Sequence, residues 1–210
     1  MFRLPSPDAV FLTCLQDDHA DWSNKTFVGV LSYKISSKVK SGLDAIHLIE
    51  NMAHLYSSSH VIALLSPRHL QLRDQAQKTH GLHFIEVFHE LLRRLNFNEF
   101  DIMTLDGVDA IFSNYWLARP KLLLEFIDFM GNAIGMMQFN EQMRLLVSAD
   151  SKYREGKTDV ARAVWGTPYY QLHPFICERL ATAFFWSKNA CTVLVRSEFR
   201  SPQEIAAIVA

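Results

Sequence analysis

The chain has no excess charge of either sign. It carries 21 Lys and Arg against 22 Asp and Glu, a net charge of −1 with His neutral. No basic domain is present to neutralise phosphates, and no block of like charges forms a tail, which argues against binding to duplex nucleic acid. Cysteine is scarce as well. Cys14, Cys177 and Cys191 are widely spaced, with neither a CxxC pair nor a disulfide framework, so free or buried thiols in a reducing compartment are expected. Long apolar runs are missing, since no stretch approaches the ~18 residues that a membrane-crossing helix needs. Met1 to Leu15 is interrupted by Pro5, Pro7 and Asp8 and lacks the basic start and apolar core of a signal peptide. A soluble cytoplasmic protein with no transmembrane segment is expected, acting free or peripherally at a membrane beside partners.

Several chemical signatures are also lacking. Gly156-Lys157-Thr158 ends like a phosphate-binding loop, but Ser151 stands where that motif requires glycine. His89-Glu90-Leu91-Leu92-Arg93 begins like a zinc-protease helix, yet Arg93 occupies the second ligand position. Neither a G-x-S-x-G elbow nor a G-x-G-x-x-G fingerprint occurs.

What is present is the material of a large core: 49% hydrophobic residues, 15 phenylalanines and only 20% charged residues over 210 positions. The length fits a single domain spanning residues 1–210. Phe27 to Tyr33 and Val61 to Leu65 read as short buried strands. Leu43 to Tyr56 repeats its apolar residues at helical spacing. Phe84, Val87, Phe88, Leu91, Leu92 and Leu95 form one apolar stripe opposite Glu86, Glu90, Arg93 and Arg94, the clearest helix in the chain. Strand character returns from Asp106 to Ser113. Pro120 then opens a long helix in which Leu123, Phe126, Ile127, Met130, Ile134 and Met137 share a face. Residues 148–166 are polar and punctuated, and read as a long ordered loop or a lid. A helix from Pro174 to about Phe185 and a strand from Cys191 to Arg196 complete the order. Single strands alternating with helices predict an α/β fold, a mainly parallel sheet flanked by helices.

Candidate site residues cluster where helices begin. His173 precedes Pro174, so it belongs at a helix mouth whose unpaired backbone N–H groups favour an anion; a buried structural histidine is the other reading. Asn114, Tyr115, Trp116 and Arg119 lie between an apolar strand and the helix opened by Pro120. Parallel α/β proteins place ligands there, and these side chains offer hydrogen bonds, flat faces and a guanidinium for phosphate. The two aromatics are equally suited to a core. Asp101, Asp106 and Asp109 offer oxygen ligands to Mg²⁺ or Mn²⁺, while Asp106-Gly107 is also good turn chemistry. His80, His83 and Glu86 are spaced like metal ligands, against the plainer reading of a solvated helix start.

Asn114-Tyr115-Trp116 followed by Ala118-Arg119-Pro120, a long helix, a polar loop, Pro168-Tyr169-Tyr170 and His173-Pro174-Phe175-Ile176-Cys177-Glu178-Arg179-Leu180 resembles a group of glycosyltransferase-like proteins. These occur in bacterial surface-polysaccharide clusters and in large DNA viruses. Asp21-Trp22 and Phe27 to Tyr33 extend the similarity loosely, so that it covers roughly residues 21–186. The resemblance implies a single nucleotide-binding, Rossmann-like domain of the GT-A kind that moves a sugar from a nucleotide-sugar donor to a glycan or related acceptor. It implies Asn114, Tyr115, Trp116 and Arg119 around the sugar or acceptor. His173 would face the donor phosphates, with Glu178 and Arg179 one turn further in. Asp106 or Asp109 would serve as the base. Such enzymes often hold Mn²⁺ or Mg²⁺ through an Asp-x-Asp pair, and this chain has none. A carbohydrate- or nucleotide-binding module without catalysis is the alternative.

Overall fold

A computed structural model describes residues 27–29, 53, 58–65, 71–153 and 158–195. The element order is β1 (Val61–Leu65), α1 (Leu72–His80), α2 (Leu82–Arg94), α3 (Glu99–Asp106), β2 (Ile111–Ala118), α4 (Pro120–Phe139), α5 (Glu141–Val147), α6 (Thr158–Trp165), α7 (His173–Ser187) and β3 (Thr192–Val195). The expected helix over residues 43–56 lies outside the described residues except for Ala53, as does most of the strand expected from Phe27 to Tyr33. Val28 of that segment does pair with Ala118, through Val28 N–H to Ala118 O at 2.9 Å and the reverse bond at 2.8 Å.

The mainly parallel, Rossmann-like sheet is not what forms. Among the described residues helices dominate, and the three-stranded sheet has the order β2-β1-β3. β1 runs antiparallel to β2 and parallel to β3. Each strand has the apolar run expected of a buried strand, but direction leaves no mark in such a run. Three helices separate β1 from β2, the kind of spacing that a parallel crossover also uses. The segment read as a strand from Asp106 divides differently. Asn98 caps α3 by accepting the Asp101 N–H on its side chain at 2.8 Å, so Glu99 to Asp106 is helical. β2 starts at Ile111 and continues through Asn114, Tyr115 and Trp116 to Ala118. Residues expected beyond the end of a strand are therefore inside one. Residues 148–166, expected as loop or lid, hold α6 in their second half.

Other elements follow the sequence closely. α2 buries Phe84, Val87, Phe88, Leu91 and Leu92. Pro120 stands in the first turn of α4, which buries Leu123, Phe126, Ile127, Met130 and Met137, with Ile134 partly buried against the same core. The sheet is covered on both faces. Val61, Ala63, Trp116 and Ala118 belong to the main core, while Ile62 and Tyr115, which alternate with them, are buried on the other side.

Trp116 anchors the contact between sheet and helices. Its ring meets Phe126 of α4 edge-on with centroids 5.0 Å apart and Phe185 of α7 at 4.8 Å. Phe184 completes the cluster, 5.4 Å from Phe126. The Trp116 Nε1–H is buried with no hydrogen-bond partner among the described residues, so the side chain is held by packing. Trp116→Ala is expected to cost about 3–5 kcal/mol of unfolding free energy. Trp116→Phe should cost less than half of that, because it keeps an edge-on ring and removes the unsatisfied N–H. Denaturant midpoints of the two variants check this.

Candidate functional site

Two polar clusters are built around α1, on different faces of it. The first forms where α3 ends. Asp106 closes that helix, placing a carboxylate at the negative end of the helix dipole, a position that needs compensating charge. Arg73 of α1 supplies it, with Nη1 3.3 Å from Asp106 Oδ2. His89 of α2 donates from Nε2 to Asp106 Oδ1 at 2.8 Å. A carboxylate can only accept, which places the ring proton on Nε2 and leaves Nδ1 as a lone-pair site in the neutral ring. No hydrogen bond to Nδ1 is present among the described residues. The His89 and Asp106 side chains are 16% and 12% exposed, so the pair is sheltered but reachable. Asp109 stands apart, exposed, in an isolated bridge with Gln71.

The second cluster lies where α1 ends and α7 begins. α7 starts at His173 with Pro174 in its first turn, as the sequence requires. His173 is buried, which lowers its pKa, and its Nε2 is 3.9 Å from Cys177 Sγ one turn on. Burial pushes the Cys177 thiol up to about 12, with the charge of Glu178 adding to the effect, so the thiol stays protonated. Arg179 is also buried. Its Nε donates to Gln75 Oε1 at 3.1 Å and its Nη1 to the Phe175 carbonyl at 2.7 Å. Its guanidinium lies 5.0 Å from the Phe84 ring centroid, and Glu178 Oε2 is 3.6 Å from Nη1. Burial draws the Arg179 pKa down to about 10, against the raising effect of Glu178, which still leaves a cation at neutral pH.

His80 shares this cluster. Its ring stacks on Phe84 at 5.0 Å and lies 4.4 Å from Phe175. Nδ1 donates to the Ser151 carbonyl at 3.0 Å, while Nε2 is buried without a partner. Burial, and secondarily the charge of Arg179, lowers the His80 pKa to about 4 despite the bond to Ser151. His83 and Glu86 are separate from it. They form an exposed pair at 3.6 Å on α2, the solvated helix start rather than a metal site.

The remaining candidates sit elsewhere. Arg119, between β2 and α4, donates from Nε to the Ser59 carbonyl at 3.1 Å and lies 4.5 Å from the Phe27 ring centroid. Tyr115 and Trp116 are buried within β2, and Asn114 lies in the same strand. Trp116 touches Phe185, twelve residues beyond His173 on α7, which is about 18 Å of helix. The structure therefore groups His173, Glu178 and Arg179, and separately pairs Asp106 with His89. It does not bring Trp116 together with His173. Arg73, Gln75, His80, His89 and Ser151 were not legible as partners in the sequence. His80 and His89 drew attention there only as candidate metal ligands, a different chemistry from the contacts they make.

Among the described residues no group of three or more His, Cys, Asp or Glu side chains is placed to hold a metal ion. Asp106 is paired with a guanidinium and an imidazole rather than grouped with further carboxylates. No helix among the described residues is long and apolar enough to cross a membrane. Removing the buried cation is expected to be costly: Arg179→Ala should lower stability by about 3 kcal/mol, and Arg179→Lys should recover less than half, since an ammonium cannot reproduce the fork to Gln75 and Phe175. Urea midpoints test both. In comparisons with protein-family models, curated proteins and solved structures, the chain matches none.

Proposed function

We propose that the chain acts in sugar transfer from a nucleotide-sugar donor to a hydroxyl of a glycan or related acceptor, with His89 as the proton acceptor and Asp106 as its positioning residue. The observation that carries this reading is the His89–Asp106 pair, because a sugar hydroxyl must lose its proton as it attacks. An imidazole fixed at Nε2 by a carboxylate presents Nδ1 for that purpose. Arg73 pairs with Asp106 Oδ2 and offers a half-exposed cation beside the His89–Asp106 pair. The similarity carried by Asn114 to Pro120 and by His173 to Leu180 supplies the substrate class.

The second reading is a carbohydrate- or nucleotide-binding module without catalysis. Trp116, His173 and Arg179, which the resemblance assigns to substrate, are buried among other side chains, so under either reading other residues would meet the ligand.

Two measurements separate these readings. A thermal-shift panel of nucleotide sugars and nucleoside diphosphates, each with and without Mn²⁺, should give a donor-selective rise of about 5–10 °C at a hundred times Kd. Transfer assays should then show that His89→Ala lowers kcat about 10²–10⁴-fold while the donor shift persists. Asp106→Asn should lower kcat and alter the pH profile of the reaction without changing donor binding. A donor shift without turnover in the wild-type chain selects the binding module, and no shift with any donor overturns both readings.

A further inference from the structure

We infer that His80 is a proton-operated latch, holding residues 149–153 against the start of α7 when its ring is neutral and releasing them when it takes up a proton.

Residues 149–153 form a strap. Ser151 N–H bonds to the Tyr170 carbonyl at 2.8 Å, and Leu172 N–H bonds to the Ala149 carbonyl at 3.1 Å. Asp150 and Gln171 form the bridge between these bonds. The strap is fastened on its other side by His80 Nδ1–H to the Ser151 carbonyl, and Ser151 is fully buried by that contact. Tyr153 closes over the cluster, with its ring 4.8 Å from Phe175 and 6.1 Å from His80. Between these two residues Lys152 is forced to φ 54°, a left-handed conformation that costs a side-chain-bearing residue free energy, so the strap is held under backbone strain.

The neutral ring suits this position and the protonated ring does not. A proton on Nε2 would be a buried donor with no acceptor, inside a box of Phe84 and Phe175. The nearest charge is also positive. Arg179 of α7 lies over the same Phe84 ring, and Glu178 reaches Arg179 from its more exposed side. Among the described residues, no other group from the surrounding elements pairs with the His80 ring. On α1, Gln75 is neutral and bonded to Arg179, while Asp74 and Lys78 are exposed. On α2, His83 pairs with Glu86 in solvent. On the strap, Lys152 is exposed and positive, Asp150 is exposed with its carboxylate turned to the Lys152 N–H at 2.8 Å, and Tyr153 is an aromatic lid. His173 of α7 also has its pKa lowered by burial. The charged ring therefore gains water only if the strap lifts.

The sign follows from linkage. Closed, His80 titrates at about 4; exposed to water it returns to about 6.5. The open form thus binds more protons between these values, and opening becomes easier as pH falls through that window. Hydrogen exchange at the Ser151 and Leu172 amides, corrected for the chemical exchange rate, should show opening on the order of 50-fold more frequent at pH 4.5 than at pH 7. In His80→Gln, whose amide can still donate to Ser151 but cannot titrate, that ratio should fall to near unity. His80→Leu provides a second non-titrating variant. An equal pH response in either folded variant overturns the latch. So does a wild-type response in which the α4 amides open together with the strap, since that would be global unfolding.

Discussion

Trp116 is the fixed point from which the rest of the described structure can be traced. It leaves the sheet toward α4 and α7 and meets both edge-on, so the two longest helices are set by one side chain. Its polar atom contributes nothing, because Nε1–H is buried unpaired, and shape is what remains. That explains why the phenylalanines concentrate here: Phe126, Phe184 and Phe185 surround a flat ring that only other flat rings can cover on all sides. With α7 so fixed, its first two turns project away from the sheet contact, and they carry His173, Cys177 and Arg179 into a separate environment.

That environment is built on a buried cation. Arg179 is held by Gln75, by a carbonyl of its own helix and by the face of Phe84, and Glu178 favours its charged form from a more exposed position. A cation in such a place governs the titration of its neighbours. It joins burial in holding His80 neutral, whereas the His89–Asp106 pair lies on another face of α1 with its own compensating arginine. Arg73 and Gln75 are two residues apart and so leave the helix on different sides, one toward Asp106 and the other toward Arg179. The Arg179 cluster is sealed from solvent; the Asp106 cluster is sheltered but reachable.

Much of this was legible in residue order, and the reason is physical. α2, α4 and α7 declare themselves because apolar side chains recur at the helical period and because Pro120 and Pro174 can stand only in a first turn. β1 and β3 are short apolar runs with little else to be. Strand direction was not legible, since a strand buried on both faces reads the same either way, and the parallel α/β expectation failed there. α3 was missed because its apolar residues follow no helical stripe; its cap at Asn98 was the available sign. The site was harder still. Asp106, His173 and Arg179 were singled out by chemistry, but their partners Arg73, His89, Gln75 and Phe84 lie up to 104 positions away, and no local pattern records a contact across that distance.

The lacing at one end of the sheet has a bearing on how the chain reaches this state. Arg119 bonds to Ser59 across 60 positions, and Cys191 bonds to His60 across 131. β1 therefore cannot gain either neighbour until distant parts of the chain have come together, and closing such loops is entropically slow. The pairs α1–α2 and α4–α5 have neighbours close in sequence and need no such search. Topology therefore divides the contacts in two: the helical pairs need only local ones, whereas the central strand depends on long-range ones.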